Sequence, residues 1–119
     1  MYQVIQLEGT IEPWWLFDEL QEDIVSVQEY QDFYEALKAY KKLCQTYLAR
    51  CPQFDSREEL MAAFWDESEQ TWCEECGDML QEFHSIALLE NGKVVSKARY
   101  RPGYDHDTDN PFPSGTSLN

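Results

Sequence analysis

The chain has 119 residues, of which 43% are hydrophobic and 14% aromatic, enough for one folded domain with its own core. Its formal net charge of -14 argues against general phosphate-driven binding of nucleic acid and against attachment to anionic membranes, and it favours basic partners. No apolar run is long enough to span a bilayer, and MYQVIQLEGT lacks the basic and apolar regions of a signal peptide. The expectation is a cytoplasmic protein whose four cysteines are reduced thiols. The charge is uneven: residues 1–37 contain no Lys or Arg, whereas residues 93–101 hold four of the nine basic residues.

In chain order, residues 2–8 read as a strand with Val4, Ile5 and Leu7 as its apolar part, followed by a break at Gly9-Thr10. Trp14-Trp15-Leu16-Phe17 fits a short strand buried on both faces, or one whose second face binds a partner. An acidic connection leads to the β-branched stretch at 24–27, a third strand. Asp32 and Glu35 form a capping box for a long helix over about 33–50. Its apolar face carries Phe33, Leu37, Tyr40, Cys44, Tyr47, Leu48 and Cys51, and Pro52 ends it. Ser56 with Glu59 reads as a second capping box, opening a short helix over about 57–64. Trp65 and Trp72 then bracket residues 66–71 as the loop of a hairpin. Residues 83–89 are a strand, Asn91-Gly92 is a type I′ turn, and residues 93 to about 101 return as the partner strand. Residues 105–119, rich in Pro, Gly, Ser, Asn and Asp, read as a disordered tail beyond a domain of residues 1–104.

Several stretches in this order resemble a known family: Glu12-Pro13-Trp14-Trp15, Glu22-Asp23-Ile24-Val25, Ala62-Ala63-Phe64-Trp65, Trp72-Cys73-Glu74-Glu75-Cys76, His84-Ser85 and the Asn91-Gly92 turn. Over roughly residues 1–97 the chain is similar to the family of Gram-positive bacteria catalogued as domain of unknown function 1033. The resemblance implies a small cytosolic bacterial protein. Members are sometimes labelled DNA-binding, but the family supplies no mechanism and no functional residues to carry over.

The residues offer three kinds of chemistry. Cys73 and Cys76 form a C-x-x-C that, with His84, could hold zinc; a structural site needs four ligands. Cys44 and Cys51 are two helical turns apart, about 10 Å along the axis, and cannot converge on one ion while the helix is intact. A thioredoxin-like dithiol is disfavoured, because Glu74 and Glu75 oppose thiolate formation. The preferred reading leaves Cys73 half-buried beside Trp72. His84, in phase with Ile86 and Leu88, reads as a core or interface histidine. Second, strand periodicity places Lys93, Lys97, Arg99 and Arg101 on one face with Tyr100 nearby, either as a phosphate-contacting strip or, preferred, as a charged edge that blocks aggregation. Third, exposed rings at Trp14, Trp15, Trp65 or Trp72, with Asp66 and Glu67 beside them, would make partner-binding hot spots. The alternating Asp105, Asp107 and Asp109 do not make a calcium loop, since Asn110 and Thr116 stand where Gly and Glu are needed.

These readings predict an α+β domain: an antiparallel sheet of four to six short strands with the 33–50 helix on one face. The leading functional expectation is a non-catalytic accessory module, without cofactor, that engages a basic or aromatic-accepting protein partner. The alternatives are nucleic-acid association through residues 93–104, and a small enzyme or zinc-dependent module using Cys73, Cys76 and His84.

Overall fold

Alternating apolar residues and one long amphipathic helix assemble as expected into an α+β domain. The computed structural model describes residues 1–15 and 21–106. Its elements are β1 (Tyr2–Gly9), β2 (Ile24–Tyr30), α1 (Phe33–Arg50), β3 (Gln53–Arg57), β4 (Met61–Trp65), β5 (Gln70–Cys73), β6 (Asp78–Gln81), β7 (Phe83–Glu90) and β8 (Lys93–Val94). An antiparallel six-stranded sheet has the order β2-β1-β7-β4-β3, and β8 pairs with the end of β7. β5 and β6 form a separate two-stranded hairpin. No described helix is long and apolar enough to cross a membrane.

The helix starts where its cap dictates: the Asp32 carboxylate accepts from the Glu35 N–H at 3.1 Å. Phe33, Ala36, Tyr40, Cys44 and Tyr47 recur every three or four residues and are buried. They meet Val4, Ala62, Phe64, Ile86 and Leu88 on one face of the sheet. The other face has its own core of Ile5, Leu7, Met61, Ala87 and Leu89, with Trp14 and Ile24 packed against it. The central strands are therefore buried on both sides, and β4 is a continuous apolar run rather than an alternating one.

That run explains one correction. No helix spans about 57–64: residues 53–57 and 61–65 are the antiparallel strands β3 and β4, with Arg57 opposite Met61. Ser56 is a buried strand residue whose hydroxyl donates to the Tyr104 carbonyl, not a cap. The turn between the strands closes with the Leu60 N–H on the Arg57 carbonyl at 3.0 Å. Leu60 takes a left-handed conformation, φ 69°, with its side chain fully buried. Burying a Leu side chain is worth about 1.5–3 kcal/mol, which matches or exceeds the roughly 1–2 kcal/mol that a left-handed residue costs. A short apolar run has no periodicity to distinguish the two outcomes.

Trp14 and Trp15 lie in a turn, not a strand, and Leu16 and Phe17 fall outside the described residues. The two rings still diverge: Trp14 packs on the second core under the Arg57 guanidinium, 3.9 Å from the ring centroid, while Trp15 is 59% exposed. The hairpin after Trp65 also differs. Trp65 ends β4, and the strand bearing Trp72 pairs with β6 around the turn after Cys73. This turn brings Cys73 and Cys76 to a Cα separation of 5.3 Å, and they form a disulfide where reduced thiols were expected. Cys44 and Cys51 are free thiols.

Asn91 and Gly92 adopt φ 52° and 77°, as a type I′ turn requires. The returning strand, however, ends at Val94 instead of continuing to about residue 101. Val95 turns into the core, and short single helical turns follow at Lys97–Arg99 and Pro102–Tyr104. The chain then returns to the far edge of the sheet, where His106 and Ser56 exchange backbone hydrogen bonds of 2.8 Å in both directions. Asp105 and His106 thus belong to the fold; the remainder of the expected tail lies outside the described residues.

Candidate functional site

A polar cluster forms where the C-terminal end of α1 meets the sheet. One row of side chains crosses the helix-side face in register: Phe54 opposite Phe64, Phe64 opposite His84, and His84 opposite Glu8. The Tyr47 ring stacks over both Phe64 and His84, at 5.6 and 5.7 Å between centroids, and its hydroxyl donates to Gln6 Oε1 at 3.0 Å. His84 is therefore clamped between a strand neighbour and the helix, with its side chain 16% exposed. Its Nδ1 is 3.4 Å from Glu8 Oε1, and its Nε2 is 3.4 Å from Glu69 Oε1.

Glu69 reaches this position from the connection between β4 and β5. Asp66 folds that connection by accepting from the Ser68 N–H and hydroxyl, at 3.0 and 2.8 Å, and these bonds hold its carboxyl below the usual range. The Glu69 N–H bonds the Asp66 carbonyl at 2.9 Å. The Gln81 amide donates to the carbonyls of Asp66 and Glu69 at 2.7 and 2.8 Å, fixing the base of the β5–β6 hairpin to the same loop. Cys51, the buried C-cap of α1, completes the cluster through its N–H on the Tyr47 carbonyl at 2.8 Å. One donor atom from each of Cys51, Glu69 and His84 lies within 4.8 Å of the others, the three-ligand group of this kind among the described residues. Burial pushes the Cys51 thiol up, the Glu69 carboxylate adds to this, and Arg50 partly offsets it. Beside His84 is a cleft of about 260 Å³ lined by Glu8, Gly9, Glu82, Phe83 and His84.

The residues named for zinc from the sequence do not assemble. Cys73 and Cys76 are joined to each other at the hairpin tip, while His84 faces Glu8, Glu69 and Cys51. His84 does share the helix-side face with Ile86 and Leu88, as its phase predicts. Cys51 and Glu69 carried no sequence signal of a site. They are 18 residues apart and come from a helix end and a loop, so only the packing of α1 beside β7 unites them with His84.

The basic strip does not form a strand face. Lys93 lies in β8 and Lys97 in a helical turn, both exposed. Arg99 and Arg101 lay their guanidiniums over the Phe33 ring, at 4.6 and 5.3 Å from its centroid, and Tyr100 packs against the core. Half of the strip therefore covers the start of α1. Of the expected partner-binding residues, Trp65 packs edge-to-face on Phe83 at 5.4 Å and Trp14 is held by Arg57. Asp66 is occupied in its loop, whereas Trp15, Glu67 and Trp72 remain exposed.

The hairpin adds a feature that the sequence did not suggest. Trp72 stands directly opposite Met79, and both are exposed, at 57% and 46%. Glu74, Glu75 and Asp78 surround the tip, all exposed.

The model of the family described as "Protein of unknown function (DUF1033)" matches residues 1–117 of the chain. The chain belongs to the DUF1033 family. The match extends beyond the stretch of about residues 1–97 on which the resemblance was read. No curated protein and no solved structure matches this DUF1033 chain.

Proposed function

We propose that this protein is a non-catalytic binding or accessory module that engages a basic segment of a protein partner through the β5–β6 hairpin. The observation that carries the reading is the Trp72–Met79 pair: two large apolar side chains, side by side and open to solvent, on strands that among the described residues pair with each other alone. Cross-strand neighbours on one face present a continuous apolar spot. Trp is the residue type most enriched at binding hot spots, and Met adapts its shape to a partner. The acidic rim of Glu74, Glu75 and Asp78, within a chain of net charge -14, selects a basic partner by charge complementarity. The compartment that goes with this reading is the cytoplasm, where reduction of the Cys73–Cys76 disulfide would leave all four cysteines as thiols.

The test is affinity capture from native cytosol with the wild-type chain and with a Trp72→Ala/Met79→Ala variant, read by mass spectrometry. The substitutions are exposed, so unfolding stability should change by no more than about 0.5 kcal/mol. The expected result is a discrete basic protein whose binding drops at least about tenfold in the variant, the effect of losing 1.4 kcal/mol at a hot spot. Equal capture by both chains, or capture of no protein by either, would overturn the reading.

A further inference from the structure

We propose that Cys51, Glu69 and His84 form a binding site for a single zinc-type divalent cation, with Glu8 as the carboxylate that orients His84. Their donor atoms already lie within 4.8 Å of one another. In a tetrahedral zinc site, bond lengths of about 2.0–2.3 Å place neighbouring donors about 3.3–3.6 Å apart. The distance between His84 Nε2 and Glu69 Oε1, 3.4 Å, is such an edge. It is long for a direct hydrogen bond.

The surroundings fit a cation better than a bare thiol. A metal-bound histidine commonly turns its other ring nitrogen to a carboxylate, which fixes the tautomer and strengthens the ligand. His84 Nδ1 is buried, has no hydrogen-bond partner within normal geometry, and faces Glu8 Oε1 at 3.4 Å. Carboxylates therefore flank both nitrogens of one half-buried ring. Activated nucleophilic cysteines sit in electropositive places, whereas this one shares its cluster with the Glu69 carboxylate. A divalent cation reverses that logic, because the same carboxylates attract it and a coordinating thiol loses its proton to it. A sulfur, an imidazole nitrogen and one carboxylate select zinc and its neighbours in the transition series over calcium or magnesium. Three protein ligands leave a fourth position for water or a further ligand, as in zinc sites that are not closed by protein.

The site also has a structural consequence. Its ligands come from the end of α1, the β4–β5 connection and β7, and the Glu69 backbone carbonyl accepts from the Glu82 N–H at 3.0 Å. A bound ion would therefore anchor the base of the projecting hairpin to the helix. The inference does not depend on the hairpin's proposed partner.

The test uses the full chain carrying Cys73→Ser/Cys76→Ser, which removes the competing thiols, stripped with a chelator under reducing conditions and titrated with Zn²⁺ or Co²⁺. The expected result is one equivalent bound, with a thiolate-to-cobalt charge-transfer band. Cys51→Ser should abolish that band, Glu69→Gln should weaken binding at least tenfold, and Glu8→Gln should weaken it about 10–100-fold. Glu69 lies on a partly exposed loop, so its variant carries the test even if Cys51→Ser fails to fold. Failure to bind one equivalent, or unchanged affinity in Glu69→Gln, would overturn the proposal. So would a cobalt band that persists in a folded Cys51→Ser chain.

Discussion

Cys44 lies on the buried face of α1 with no exposed surface, and its thiol is pushed up to about 12 by burial, against a smaller opposing hydrogen bond with Tyr40. Tyr40, fully buried beside it, is raised for the same reason. In the unfolded chain the thiol ionises near its ordinary value of 9.0. Above that pH the unfolded state binds fewer protons than the folded state, so stability falls as pH rises. The contribution of Cys44 is fully present below about pH 9 and is lost between about 9 and about 12. Urea midpoints across that window should decline less steeply for Cys44→Ala than for the wild type; equal slopes would remove this account. The same burial should leave Cys44 unreactive to alkylating reagents until the chain unfolds. The helix periodicity marked Cys44 as a core residue, whereas the left-handed backbone of Leu60 was invisible, since nothing in a Leu announces a positive φ.

Among the elements, α1 and the Asn91-Gly92 turn were legible because each rests on local chemistry: a cap, a 3.6-residue period, and a dipeptide that tolerates positive φ. The β3–β4 pair was misread because Ser56 and Glu59 have the spacing of a capping box while tertiary pairing decides the strand. The far edge of the sheet is closed by a segment that composition assigned to a tail. His106 stacks on Phe54 at 4.2 Å and shares two backbone hydrogen bonds with Ser56. Two such bonds and one ring contact contribute about 2–3 kcal/mol together. A chain ending at Tyr104 should therefore unfold at lower urea than one ending at His106, with the m-value little changed. Coincident midpoints would show that the bridge adds nothing.

For the molecule as a whole, the charge of -14 sets the character of any encounter. If the acidic hairpin recruits a basic segment, association should slow and weaken as salt rises, because the screening length shrinks from about 10 Å at 0.1 M to about 3 Å at 1 M. The Trp72–Met79 contact itself is not screened, so residual affinity at high salt should vanish in the Trp72→Ala/Met79→Ala variant. Binding measured across ionic strength on both chains separates the two terms, and salt-independent binding by the wild type would remove the electrostatic part. The same charge bears on the basic residues, of which Arg57, Arg99 and Arg101 are spent on the rings of Trp14 and Phe33.

Legible from the residues alone were the α+β class, the long helix with its buried face, the neighbouring strands β1, β2 and β7, the type I′ turn and the family resemblance. All of these depend on residues near one another in the chain, where spacing and backbone preference act directly. Packing in three dimensions was needed to make residues 61–65 a strand, to join Cys73 to Cys76, and to set Trp72 against Met79. The same packing makes Cys51, Glu69 and His84 converge. Such a site is built from elements brought together by burial of two separate cores, and burial is non-directional: it fixes which faces turn inward but leaves no spacing in the sequence from which the meeting of distant side chains can be read.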